Sequence, residues 1–232
     1  MSIRWFGGPG QSPGICEIPL ATFQPALQRL SELHEHVAVV GTSKGAEAAL
    51  LLAGRDVRIR AVAALSPSSV VWANVGPGSD GAQQPYRSSW SEHGQPLPFV
   101  PYDDSWMLAD NDGPPVYRTL YEQSLVTFAA RTAEAAIPVE HIRADLLVSA
   151  GGDDQLWPSD LFAEQIVQRR AAYQLSTRIV THPGAGHRVR LPSEPEPSPA
   201  GTTRAHGGNA LADTQQGKAV WEQLVDLLHL DS

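Results

Sequence analysis

The chain of 232 residues carries 17 Lys and Arg against 25 Asp and Glu, a formal net charge of −8, which excludes a phosphate-backbone binder of nucleic acid with its clustered cations. With 42% apolar and 18% charged residues it is a foldable chain with room for one sizeable core, and its single cysteine, Cys16, excludes an internal disulfide framework or a thiolate zinc site. No apolar run approaches the roughly 18 residues of a membrane span and residues 1–9 hold no signal core, so a soluble, cytoplasmic protein is expected.

In chain order, residues 25–33 place Leu27 and Leu30 at helical spacing behind Thr22 as a cap, and predict a first helix. Val37-Ala38-Val39-Val40 is a short β-branched run of the kind found in a strand buried on both faces. It leads through Gly41-Thr42-Ser43-Lys44-Gly45 into an Ala/Leu-rich helix over 46–53 that stops at Gly54. Further buried strands are predicted at 59–65, 146–149 and 177–181, with a helix at about 161–172 between the last two. Residues 218–230 carry Val220, Trp221, Leu224, Leu227 and Leu228 as the apolar face of a closing helix. This alternation predicts an α/β fold, a mostly parallel sheet with helices on both faces.

The stretch from Trp72 to about Pro115 breaks the alternation. It is rich in Gly, Pro, Ser and Asp, yet it carries Trp72, Tyr86, Trp90, Phe99, Tyr102 and Trp106, and disordered segments are poor in aromatics. It is read as an ordered, cap-like excursion at about 72–130 within a single domain spanning 1–232. A second irregular stretch, 192–208, lacks aromatics and reads as a surface loop.

The chemistry centres on Gly41-Thr42-Ser43-Lys44-Gly45, a G-x-S-x-G between strand and helix. The glycines permit a sharp turn that lifts a serine hydroxyl above the sheet edge, and the Lys44 N–H at the helix start would face an oxyanion. A serine hydroxyl needs a base oriented by an acid, and in this type of site the chain order is Ser, acid, His. Gly151-Gly152-Asp153-Asp154 follows one predicted strand and Pro183-Gly184-Ala185-Gly186-His187 the next, both at strand carboxyl ends where such sheets keep their sites. The expected set is therefore Ser43 as nucleophile, Asp154 as the orienting acid with Asp153 a turn-former, and His187 as base. His182, His34 and His36 read as structural, and His34-Glu35-His36 without further ligands is a weak metal signal. No metal or organic cofactor is implied.

These blocks, together with Ile18-Pro19-Leu20, Ile137-Pro138-Val139-Glu140, the Gln155-Leu156-Trp157-Pro158-Ser159 run, Arg204-Ala205-His206 and the last helix with Trp221, resemble the C-terminal catalytic domain of acyl-CoA thioester hydrolases and bile-acid-CoA:amino-acid N-acyltransferases. The resemblance implies an α/β-hydrolase fold, a Ser43/Asp154/His187 triad and acyl thioester substrates, and serine in place of cysteine at position 43 favours water as the final acceptor. Such proteins carry further strands upstream, one of which leads into a glycine loop with the second oxyanion donor. Here the chain is expected to start one strand later, leaving Gly7 or Gly8, or failing them an ordered water, to supply that donor; without it, weak activity or a need for a partner chain completing the sheet is expected. Trp72, Trp90 and Trp106 are expected either to line the acyl pocket or to pack the excursion onto the sheet. An esterase resembling carboxylesterases or dienelactone hydrolase, and a weakly active or non-catalytic acyl-binding relative, are the alternatives, and a homo-oligomer stays open.

Overall fold

The computed structural model describes residues 1–110, 112–195 and 203–229. β1 (Ile18–Pro19) leads through a 3-10 turn into α1 (Gln24–Leu33), where Pro25 sits in the first turn and forfeits no helical hydrogen bond. β2 (Val37–Thr42), α2 (Lys44–Ala53) and β3 (Ile59–Leu65) follow. The chain then leaves the sheet and forms a small hairpin of β4 (Trp90–Glu92) and β5 (Gln95–Pro96). The two residues between them, His93 and Gly94, have φ of 50° and 76°, the pairing of positive angles that a two-residue hairpin turn requires. It returns through α3 (Arg118–Thr127) and α4 (Ala129–Glu134) to β6 (Asp145–Gly151), α5 (Ser159–Ala172), β7 (Arg178–His182) and α6 (Ala210–Leu227).

The main sheet has the order β2-β3-β6-β7 with every neighbour parallel, in a register that sets Val39 beside Val62 and Val62 beside Leu146. Strand side chains alternate between faces, and the two faces have different covers. Val62, Ala64, Leu146, Val148 and Ala150 join the core under α1, α2 and α5. Ala61, Ala63, Leu65 and Leu147 pack instead against Val220, Leu224 and Leu227 of α6. Each fully buried Leu or Val contributes about 1.5–3 kcal/mol, which is why β3 and β6 carry almost no polar residue. β1 pairs parallel with β4 in a separate three-stranded sheet, β1-β4-β5.

The closing helix begins eight residues earlier than its apolar face predicts, at Ala210. Asn209 caps it by accepting the Ala212 N–H at 3.1 Å, and Gly217 lies inside it because a Cβ there would run into the Arg190 carbonyl. Leu230 of the predicted helix and residues 196–202 of the predicted surface loop lie outside the described residues. Among the described residues no helix is long and apolar enough to cross a membrane.

Candidate active site

β2 ends at a turn in which Ser43 has φ 56° and ψ −122°. Such a conformation costs a non-glycine residue about 1–3 kcal/mol and persists only where its surroundings enforce it. The enforcement is visible: the Ser43 N–H donates to the Leu65 carbonyl of β3 at 2.9 Å, and the Ser43 carbonyl accepts the Ala46 N–H at 2.9 Å. Gly41 makes the turn sterically feasible, since a Cβ there would collide with the Gly45 carbonyl. Ser43 remains half-exposed while the helix behind it is buried.

At the carboxyl end of β6, two glycines bring the chain against the loop after β7. Gly152 N–H donates to His182 O at 3.0 Å and Asp153 N–H to Ala185 O at 2.9 Å. Asp154, fully buried, then accepts four hydrogen bonds. Its Oδ1 takes the N–H groups of Leu156 (2.9 Å) and Trp157 (3.2 Å), and its Oδ2 takes the Ser159 hydroxyl (2.6 Å) and stands 2.8 Å from His187 Nδ1. Asp153 faces solvent instead and accepts the Gly208 N–H at 2.8 Å. His187 is 4% exposed. Its N–H donates to His206 O at 2.7 Å, its carbonyl accepts the Ser66 hydroxyl at 2.5 Å, and its ring meets Trp157 edge-on at 5.6 Å. The His206 ring lies 5.7 Å from it, and burial, then proximity to His187, holds His206 below the usual histidine range.

The end of β3 ties the two halves together, because Leu65 holds the Ser43 backbone and the adjacent Ser66 holds that of His187. Among the described residues no hydrogen bond joins Ser43 Oγ to the His187 ring; in sites of this kind that link often tightens only with substrate. The Lys44 N–H opens α2, where helix amides lack an intrahelical partner. Its side chain turns inward to Glu47 and Ser89, at 2.8 and 2.9 Å. Burial pulls the Lys44 ammonium down and pushes the Glu47 carboxyl up from their ordinary values.

Several expectations need correction. Gly7 and Gly8 belong to a turn closed on itself: Gly7 N–H donates to Ser12 O at 2.8 Å and Gly8 N–H to Gln11 Oε1 at 3.1 Å. Both amides are engaged, so neither is free to serve as the second oxyanion donor. Trp72 and Trp90 are wholly buried. Trp72 donates to Ser68 Oγ at 2.9 Å and stacks on Tyr102, while Trp90 donates to Glu47 Oε2 at 2.9 Å and packs against Trp5 and Phe23. Trp106 lies near the surface, bonded to Thr119 Oγ1 at 3.1 Å and tilted against Tyr117. Trp72 and Trp90 hold the excursion down as core. Sequence reasoning missed Glu47, Ser66 and Ser159; of these only Glu47, a lone charge three residues after Lys44 in an Ala/Leu helix, carried a readable signal.

The family described as BAAT / acyl-CoA thioester hydrolase C terminal matches residues 20–231. Human acyl-coenzyme A thioesterase 1 is 25% identical over 199 residues, which cover 83% of this chain and 43% of that protein. Mouse mitochondrial acyl-coenzyme A thioesterase 2 is 30% identical over 99 residues, covering 40% of this chain and 22% of that one. The chain thus spans less than half the length of these relatives. A solved structure from Klebsiella pneumoniae subsp. pneumoniae, assigned by its name to dienelactone hydrolase, is 13% identical with a TM-score of 0.47 and covers 90% of this chain and 59% of its own.

Proposed function

We infer function from one premise: this chain belongs to the BAAT / acyl-CoA thioester hydrolase C-terminal family and has its α/β-hydrolase fold. It is a hydrolase-like protein, and the reading we propose is hydrolysis of an acyl-CoA or related acyl thioester through a seryl acyl-enzyme. Ser43 Oγ attacks the thioester carbon. His187 takes the serine proton and returns it to the departing thiolate, then activates water to release the acid. Asp154 keeps the Nδ1 proton of His187 in place, which leaves Nε2 free to act as base. The Lys44 N–H stabilises the tetrahedral oxyanion. The excursion acts as a cap over this centre, and the cytoplasm is the proposed compartment, to be settled by fractionation because one relative bears a mitochondrial name.

The observation that carries this reading is the buried 2.8 Å contact between Asp154 Oδ2 and His187 Nδ1 beside a strained serine turn. A buried carboxylate on an imidazole, anchored by three further donors, is the arrangement that orients a general base. The test is labelling with a fluorophosphonate together with hydrolysis of an acyl-CoA series and of p-nitrophenyl esters. Wild type is expected to label at Ser43 and to prefer thioesters, and Ser43→Ala to lose both labelling and turnover with its melting temperature unchanged. Ser43→Ala retaining more than a few per cent of the wild-type rate would sink the proposal. A preference for oxygen esters would move the assignment to an esterase.

A further inference from the structure

Directly beneath the turn that presents Ser43 lies a buried ion pair that the hydrolytic step does not itself require. Lys44 Nζ donates to Glu47 Oε1 at 2.8 Å, and the two residues are 8% and 0% exposed. Neither charge is left with loose ends. The second carboxylate oxygen takes the Trp90 indole N–H at 2.9 Å. The ammonium donates again to Ser89 Oγ at 2.9 Å, and the Ser89 hydroxyl in turn donates to Ala73 O at 2.8 Å. That carbonyl also takes the Tyr102 hydroxyl at 3.2 Å. A continuous polar chain therefore runs from the first residue of α2 into three separate points of the excursion.

Stability alone does not account for it. Desolvating two charges cancels most of their attraction, and a buried pair replaced by apolar residues of similar volume is often as stable or more so. What the pair does supply is geometry. Ser43 holds a conformation that must be enforced from outside, and the residue clamped by Glu47 is the one whose peptide N–H follows it. We propose that Glu47 is a positioning residue. Through Lys44 it fixes the peptide between Ser43 and Lys44, and so aims both the hydroxyl and the Lys44 amide, and through Trp90 and Ser89 it keys the excursion to that turn. The inference deepens the thioesterase reading and rests on it.

The test removes both charges at once. The Lys44→Met/Glu47→Leu double variant is expected to melt within a few degrees of wild type and to keep its KM for an acyl-CoA within about twofold. Its kcat should fall about 10²-fold, the scale of a lost oxyanion donor, and the rate of fluorophosphonate labelling should fall with it. An unchanged melting temperature with kcat within about threefold of wild type overturns the proposal. Should the double variant fail to fold, Glu47→Gln carries the test, with active sites titrated. A lower kcat per active site at constant KM supports positioning, and a loss explained by fewer active sites overturns it. If the wild type neither labels nor turns over, the functional reading has failed on its own, and the positioning claim is then decided by a crystal structure of the double variant. Ser43 leaving the positive-φ region supports it, and Ser43 keeping φ near 56° overturns it.

Discussion

Substituting Asp154 by Asn tests the centre most sharply, because its four hydrogen bonds dictate how the amide must sit. Two backbone N–H groups, of Leu156 and Trp157, point at Oδ1 and can only donate, so the Asn carbonyl oxygen must stay there. The NH₂ group then takes the place of Oδ2, facing Ser159 Oγ and His187 Nδ1. A hydroxyl can turn and accept, so Ser159 adapts. His187 can accept only by giving up its Nδ1 proton, which moves to Nε2, and a protonated Nε2 cannot take a proton from serine. The wrong tautomer costs on the order of 10⁴ in kcat, about 5 kcal/mol at 1.36 kcal/mol per decade. The fold loses only the charge assistance of these bonds, on the order of 1 kcal/mol, or about 2–4 °C for a chain of this size. The assay is release of free CoA thiol followed spectrophotometrically, with thermal unfolding in parallel and Asp153→Asn as comparison. Retention of more than about a hundredth of wild-type kcat, or an equal loss in Asp153→Asn, would refute the reasoning.

The other expectations follow from burial and close approach. Gly41→Ala places a methyl against the Gly45 carbonyl, so the turn must open; loss of fluorophosphonate labelling is expected in whatever protein folds, and normal labelling would show that the turn tolerates bulk. Trp90→Ala deletes a fully buried indole and should destabilise by about 3–5 kcal/mol; an unchanged melting temperature with altered acyl-chain preference would restore Trp90 to the substrate pocket. Asp103 accepts from Thr127 Oγ1 and Gln123 Nε2 on one oxygen and from Ser105 on the other, and those bonds, Thr127 first, hold its carboxyl far below the usual 3.8. The unfolded chain therefore takes up the proton first, so the stabilisation is complete above that ordinary value and is lost as pH falls below it. The melting-temperature gap between wild type and Asp103→Asn should be full at neutral pH and shrink progressively below about pH 4, and a gap independent of pH would count against the assignment.

What could be read in the sequence alone was whatever depends on local pattern. The strands read at 37–40 and 59–65 became β2 and β3, although Ala38 and Val40 of β2, expected to be buried on both faces, are exposed; the strand–turn–helix context of Ser43 and the chain order of Asp154 and His187 set all three after the carboxyl ends of strands of one parallel sheet, because backbone propensity and alternation act over a few residues. The tertiary structure decided how hydrogen bonds and buried area are shared out among groups far apart in the chain. It closed the Gly7 and Gly8 amides within their own turn and placed the expected pocket aromatics Trp72 and Trp90 in the core. It also joined Glu47 to Lys44, Trp90 and Ser89. Each of these outcomes turns on which partner occupies a donor or fills a volume, and such partners, 43 residues apart for Glu47 and Trp90, meet only when the whole chain is packed.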